Sequence, residues 1–244
     1  MKIRIINPDS GYSEAELRAR TGLLKPFVRP DTELSMVCPQ QSSLCIDSGL
    51  DEALDAPEIV RLALEAQNDG CDAVCLWCFS DPAAAACREL LKIPVVGGAQ
   101  SSVLLACQLA LSYSVLVTSR RRIPQKKAFI RALGGDPARL ASVRSVEIPP
   151  GSTMNRGAMI RILEESGRRC VEDDGAGAVV LGCLSFAAMG RELTERLGVP
   201  VIDPAAVLVT TAESLVTQGL CHSKKSWPEP EPAERSWGAG CIKN

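Results

Sequence analysis

The chain has 244 residues, 46% hydrophobic and 23% charged, which is enough to bury the core of one large or two smaller domains. A formal net charge of −2 supplies no basic field and argues against a role built on neutralising nucleic-acid phosphates. Eleven cysteines, an odd number in a chain too long to need disulfide staples, point to reduced thiols, most of them small buried hydrophobes.

In chain order, the first predicted element is a strand at Ile3–Ile6 followed by Asn7-Pro8. Residues 1–10 lack a leader-like apolar core and no apolar run reaches the length of a membrane span, so the expected location is the cytoplasm. Segment 26–50, with Pro26, Pro30 and Pro39 around ELSMVC, is expected to be irregular with one strand. A strand at Ser114–Val117, followed by Thr118-Ser119, is the counterpart of the opening one. Beyond Pro204 a helical stretch is expected, and residues 223–244, with WPEPEP at their centre, read as an irregular tail.

An internal repeat organises these elements. Segment 69–80, DGCDAVCLWCFS, matches segment 174–185, DGAGAVVLGCLS, at seven of twelve positions under a shift of 105, including Asp69/Asp174, Gly70/Gly175 and Cys78/Cys183. Each copy continues through a helix-like stretch carrying Arg88-Glu89-Leu90 or Arg191-Glu192-Leu193, and ends in a short apolar strand after Pro94 or Pro200. Apolar runs of this length suit parallel strands buried on both faces. The expected fold is therefore α/β: two similar Rossmann-like lobes with parallel sheets, related by a pseudo-two-fold axis, with the active site in the cleft between them. The first lobe takes residues 1–97 plus 207–244 and the second 98–206.

Ligands of open parallel sheets bind beyond the carboxyl ends of the strands, where Cys78 and Cys183 fall. Ser80 or Asp81 is expected to cap a helix with Pro82 in its first turn, and the helix dipole to favour a Cys78 thiolate. Backbone N–H groups at the same place would stabilise an oxyanion. Two thiols facing each other across a cleft, with sulfurs about 6–8 Å apart, suit a proton abstraction on one face of a carbon and a return on the other, with no cofactor. Cys71, Cys75, Cys87, Cys107 and Cys170 are expected on helices or in strand interiors as core.

Competing constellations are weaker. Cys75 and Cys78 form a C-x-x-C, but on a strand they would point to opposite faces, and a tetrahedral zinc site wants four ligands in a chain with a single histidine. His222 reads as a surface or packing residue. Arg120-Arg121-Arg122 reads as a solvated loop; an arginine pointing into the site would favour a carboxylate substrate. Gly175, Gly177 and Gly182 precede and end a strand instead of leading from it into a helix, so no dinucleotide site is inferred, and Gly22 and Gly134-Gly135 read as turns.

The motifs Ile5-Ile6-Asn7-Pro8, Cys78-Phe79-Ser80-Asp81-Pro82, Val117-Thr118-Ser119, Leu181-Gly182-Cys183 and Val199-Pro200-Val201-Ile202-Asp203-Pro204 resemble the aspartate/glutamate/hydantoin racemase superfamily, within it the hydantoin and allantoin racemases. So does the tail at Ser223-Lys224-Lys225 with its following aromatic and prolines. The resemblance covers nearly the whole chain. It implies metal- and cofactor-independent inversion of the C5 centre of a 5-substituted hydantoin or allantoin, with Cys78 and Cys183 as acid/base groups. Asn7 and the backbone at Ser80-Asp81 and Leu184-Ser185 would hold the ring, assisted by Thr118 and Ser119. Cys-Phe-Ser stands where the amino-acid branch shows Cys-Asn-Thr, while Asp9 and Gln100 depart from the relatives' usual asparagine and acidic residue. The expected partner is a small-molecule substrate, with self-association into a homo-oligomer. The alternatives are a racemase or isomerase of a small amino or dicarboxylic acid, and a non-catalytic small-molecule binding protein.

Overall fold

The structure, a computed structural model, describes residues 1–40, 45–146, 155–237 and 240–243. The chain divides into two compact units, Met1–Gly97 with Leu208–Asn244, and Gly98–Val207.

In the first unit, β1 (Lys2–Ile6), β2 (Glu33–Val37), β3 (Ala73–Leu76) and β4 (Val95–Gly97) form a wholly parallel sheet in the order β2-β1-β3-β4. All four residues of β3 are buried, which is why this strand appears in the sequence as an unbroken apolar run. α1 (Glu14–Leu24) starts on a capping box in which Ser13 and Glu16 satisfy each other's backbone N–H. α2 (Gly49–Asn68) is capped by Ser48, and α3 (Ala84–Leu90) precedes β4. Ile59, Leu62 and Ala63 of α2 and Cys87 of α3 pack against Ile6, Val74 and Leu76 on one face of the sheet.

The second unit contains α4 (Gly98–Leu109), β5 (Tyr113–Val117), α5 (Ile123–Arg131), β6 (Leu140–Ser145), α6 (Arg156–Glu172), β7 (Ala178–Leu181), α7 (Gly190–Leu197) and β8 (Val201–Ile202). Its parallel sheet has the order β6-β5-β7-β8, the same arrangement as in the first unit. Ile160 and Leu163 of α6 and Leu193 of α7 pack on Leu116, Val179 and Leu181. α8 (Pro204–Thr217) runs across the division between the units at Val207 and Leu208.

The repeated Asp-Gly of the sequence has a structural reason in both units. Gly70 and Gly175 carry φ of +74° and +68° in the turn that leads into β3 and β7. Asp69 pairs with Arg4, whose Nε donates to Ser35 of β2; Asp174 pairs with Arg144 and accepts from Ser142, both on β6. Either way, the turn before the central strand is tied to the outer part of its own sheet. An added Cβ at Gly70 or Gly175 would meet nothing within 4 Å, so alanine there costs backbone strain alone. Gly70→Ala and Gly175→Ala should each lose about 1–2 kcal/mol, read as a fall in melting temperature with activity retained.

Several sequence expectations are corrected. Segment 26–50 does carry its one expected strand, β2, with α2 starting only at Gly49, and its residues 41–44 lie outside the described residues. Gly22 lies inside α1, not in a turn. Cys71 sits in the turn before β3, buried but in no helix or strand. The tail is not irregular throughout: β9 (Glu234–Trp237) and β10 (Gly240–Lys243) form an antiparallel hairpin. Before that hairpin, the Lys224 ammonium donates to the carbonyls of Arg88, Glu89 and Leu91, closing the end of α3, and Trp227 lies under the Arg88 guanidinium. His222 Nε2 meets the backbone of Val95 on the edge strand β4, and burial holds its pKa below the ordinary histidine value.

Candidate active site

A strand order of 2-1-3-4 reverses direction between β1 and β3, and between β5 and β7. Beyond the carboxyl ends of such a strand pair an open parallel sheet leaves a crevice. The first unit sets Asn7 at the end of β1 and Cys78 just past β3; the second sets Thr118 at the end of β5 and Cys183 just past β7. Both cysteines are half-buried.

At Cys78 the chain leaves the sheet at once. Trp77 N donates to Ile6 O, the last step of the ladder, and Cys78 N turns back to Leu76 O. Because β3 ends at Leu76, the strand argument that set Cys75 and Cys78 on opposite faces does not apply to Cys78. Cys75 is fully buried, its thiol directed to Leu208 O, and desolvation drives its pKa far up. Among the described residues no group of three or more His, Cys, Asp or Glu side chains is placed to hold a metal ion.

The expected helix start at Ser80, Asp81 and Pro82 is also corrected. Asp81 N donates to Cys78 O and Ala84 N to Asp81 O, while Asp81 and Ala83 take φ of +45° and +58°; α3 begins at Ala84 with no side-chain cap. The Asp81 carboxylate is committed elsewhere, since it fills the space a Cβ on Gly97 would need. Cys78 therefore lies six residues ahead of α3, in a turn whose strain is carried by Asp81 and Ala83, and not at a helix N-terminus as expected. Ser80 and Asp81 are buried, and the buried Arg88 guanidinium contributes the positive charge facing Asp81.

Cys183 has extended backbone and opens a short 3-10 turn at Leu184–Phe186, closed by Phe186 N to Cys183 O; α7 starts only at Gly190. Leu184 is buried against Gly98, whereas Ser185 and Thr118 are exposed and Ser119 half-buried. Asp203 fixes the far end of this turn. Its carboxylate accepts from Ala188 N at 2.7 Å, where φ is +63°, and from Ala205 N at 3.0 Å. Burial raises the Asp203 pKa while those backbone donors pull it back. Arg120–Arg122 form a short 3-10 turn after Ser119, with Arg120 and Arg121 exposed.

Asn7 is fully buried, and its amide nitrogen donates to Asp9 O at 3.1 Å. Asp9 Oδ1 in turn accepts from Ile46 N. Desolvation raises the Asp9 pKa above the usual 3.8. The folded chain therefore holds this proton to higher pH than the unfolded chain, and stability falls as pH rises through the window between the two values. Asp9→Asn, which keeps the acceptor for Ile46, should melt higher than the parent at about pH 8, with the gain shrinking toward about pH 4. A gain independent of pH would contradict this origin.

Sequence reasoning missed Trp77. It is 4% exposed, and among the described residues its Nε1 meets no hydrogen-bond acceptor, just as Asn7 Oδ1 meets no donor. The signal was present as a break in the repeat, with Trp77 standing where the second copy has Gly182.

Two like four-stranded parallel units, each delivering a half-buried cysteine at its switch point, define a duplicated α/β protein with strand-end thiols. A profile of the Asp/Glu/hydantoin racemase family matches residues 3–212, and the chain belongs to that family. Hydantoin racemase of Pseudomonas sp. (strain NS671) is 34% identical over 239 residues, covering 96% of this chain and 94% of the relative. The hydantoin racemase of Paenarthrobacter aurescens is 31% identical over 94% of this chain and 98% of its own. Allantoin racemase from Klebsiella pneumoniae superposes with a TM-score of 0.87 at 29% identity, over 97% of this chain and 96% of that one. The chain is accordingly an isomerase of the racemase type. No helix among its described residues is long and apolar enough to cross a membrane.

Proposed function

We propose that the chain inverts the C5 centre of a 5-substituted hydantoin or of allantoin, with Cys78 and Cys183 as the two acid/base groups and without a cofactor. The observation that carries this reading is the placement of one cysteine just past the third strand of each unit, at equivalent switch points. The names of the relatives point to the same substrate class.

In one direction a thiolate takes the C5 proton, and the C–H electron pair moves onto the neighbouring carbonyl oxygen as an enolate. The other cysteine then delivers its thiol proton to the opposite face of C5, leaving the carbonyl restored and the two sulfurs with exchanged protonation. The reverse reaction exchanges their roles. Asn7, the backbone at Ser80-Asp81 and Leu184-Ser185, and the hydroxyls of Thr118 and Ser119 supply donors and acceptors suited to a neutral ring. Racemisation of hydantoins, allantoin, aspartate and glutamate in D2O tests the assignment. Loss of optical rotation with deuterium entry at C5 is expected for the ring substrates, and turnover confined to the free amino acids would refute it.

A further inference from the structure

The geometry points to Trp77 Nε1 and Asn7 Oδ1 as a matched donor and acceptor that bind a neutral cis-amide edge of the substrate, a ring C=O beside a ring N–H. This rests on the reading of the site as one for a hydantoin-like ring and identifies which part of the ring is read.

Asn7 and Trp77 are neighbours by register. β1 pairs with β3 as Ile5↔Cys75 and Ile6↔Leu76, and the Trp77 N to Ile6 O bond extends the ladder to the next pair. Side chains alternate across a sheet. Ile6, Val74 and Leu76 face α2 and α3, so Ile5, Cys75 and their successors Asn7 and Trp77 share the opposite face, where the Cys75 thiol meets α8. Two side chains thus stand side by side at the switch point of the first unit, one residue before Cys78.

Each carries one orphaned polar atom, and the two are of opposite kind. The indole nitrogen is a donor only and the amide oxygen an acceptor only. A buried polar group without a partner is costly, so such pairs persist where something else satisfies them. A carboxylate offers acceptors alone and would leave Asn7 Oδ1 facing another oxygen. An amino acid brings both senses, but as full charges that these neutral, dehydrated partners compensate poorly. A cis-amide supplies one neutral donor next to one neutral acceptor. The second unit has Gly182 and Thr118 at the corresponding places, so the reading of the edge belongs to the first unit alone.

The test uses 5,5-dimethylhydantoin, which has the amide edge but no C5 proton to exchange. Calorimetry should show that the full chain binds it and that 1,3,5,5-tetramethylhydantoin, with both ring nitrogens methylated, does not. Trp77→Phe should weaken binding at least about tenfold, equivalent to about 1.4 kcal/mol. With 15N-labelled tryptophan in the unsubstituted chain, one of three indole N–H resonances should move downfield on titration, a readout that needs no variant to fold. Absence of binding by the unsubstituted chain, equal binding by Trp77→Phe, equal binding of the tetramethyl compound, or unmoved indole signals would each overturn the proposal. Failure of the racemase mechanism reads differently: 5,5-dimethylhydantoin would bind and depend on Trp77, yet C5 of a monosubstituted hydantoin would not exchange.

Discussion

Cys78→Ser and Cys183→Ser should each lower racemisation of a 5-substituted hydantoin by about 10³-fold, within the range expected for deleting a general acid or base. A serine hydroxyl is far less acidic than a thiol, so it neither forms a usable base near neutral pH nor protonates the enolate readily. The two variants should also differ in a diagnostic way. Inversion needs both groups, but exchange of the C5 proton with solvent on one face needs only the surviving thiol. In D2O, Cys78→Ser should retain slow exchange with one enantiomer and Cys183→Ser with the other, each with retention of configuration. Full racemisation by either variant would remove that cysteine from the mechanism. Loss of activity without this opposite preference would argue for a merely structural part.

The scaffold around these cysteines was legible because its physics is local and repeated. β3 and β7 are buried along their whole length, so they leave contiguous apolar runs, and the turns before them need a glycine at positive φ beside an aspartate that holds an arginine. The order of strands then puts a cysteine at each switch point without further information. The loop after Cys78 was not legible for an equally specific reason. Ser-Asp-Pro has the composition of a helix start, but Asp81 spends its carboxylate in the space above Gly97, a contact with a residue on another strand that no local pattern announces. The C-terminal hairpin escaped because a proline-rich stretch runs directly into its short strands. Trp77 escaped because an orphaned donor is defined by what fails to surround it, which sequence does not record.

Gly182→Ala should be among the most damaging single-methyl additions in the chain, costing about 3 kcal/mol and most of the activity. A Cβ at Gly182 would stand 2.5 Å from the Leu116 carbonyl oxygen and 3.0 Å from a methyl of Val115 and one of Val117. The oxygen is backbone and already accepts from Gly182 N at 2.6 Å, so it has no freedom to withdraw without breaking the last rung between β5 and β7. Relief has to come from moving Gly182 itself, and with it Cys183, the next residue. Gly175→Ala is the control, since it changes a glycine before the same strand where the added methyl meets open space. Thermal melting together with kcat should therefore separate the two: a modest loss of stability with activity kept for Gly175→Ala, and loss of both for Gly182→Ala. If Gly182→Ala melts and turns over like the parent, the close approach of β5 to the Cys183 turn is not what holds that thiol in place.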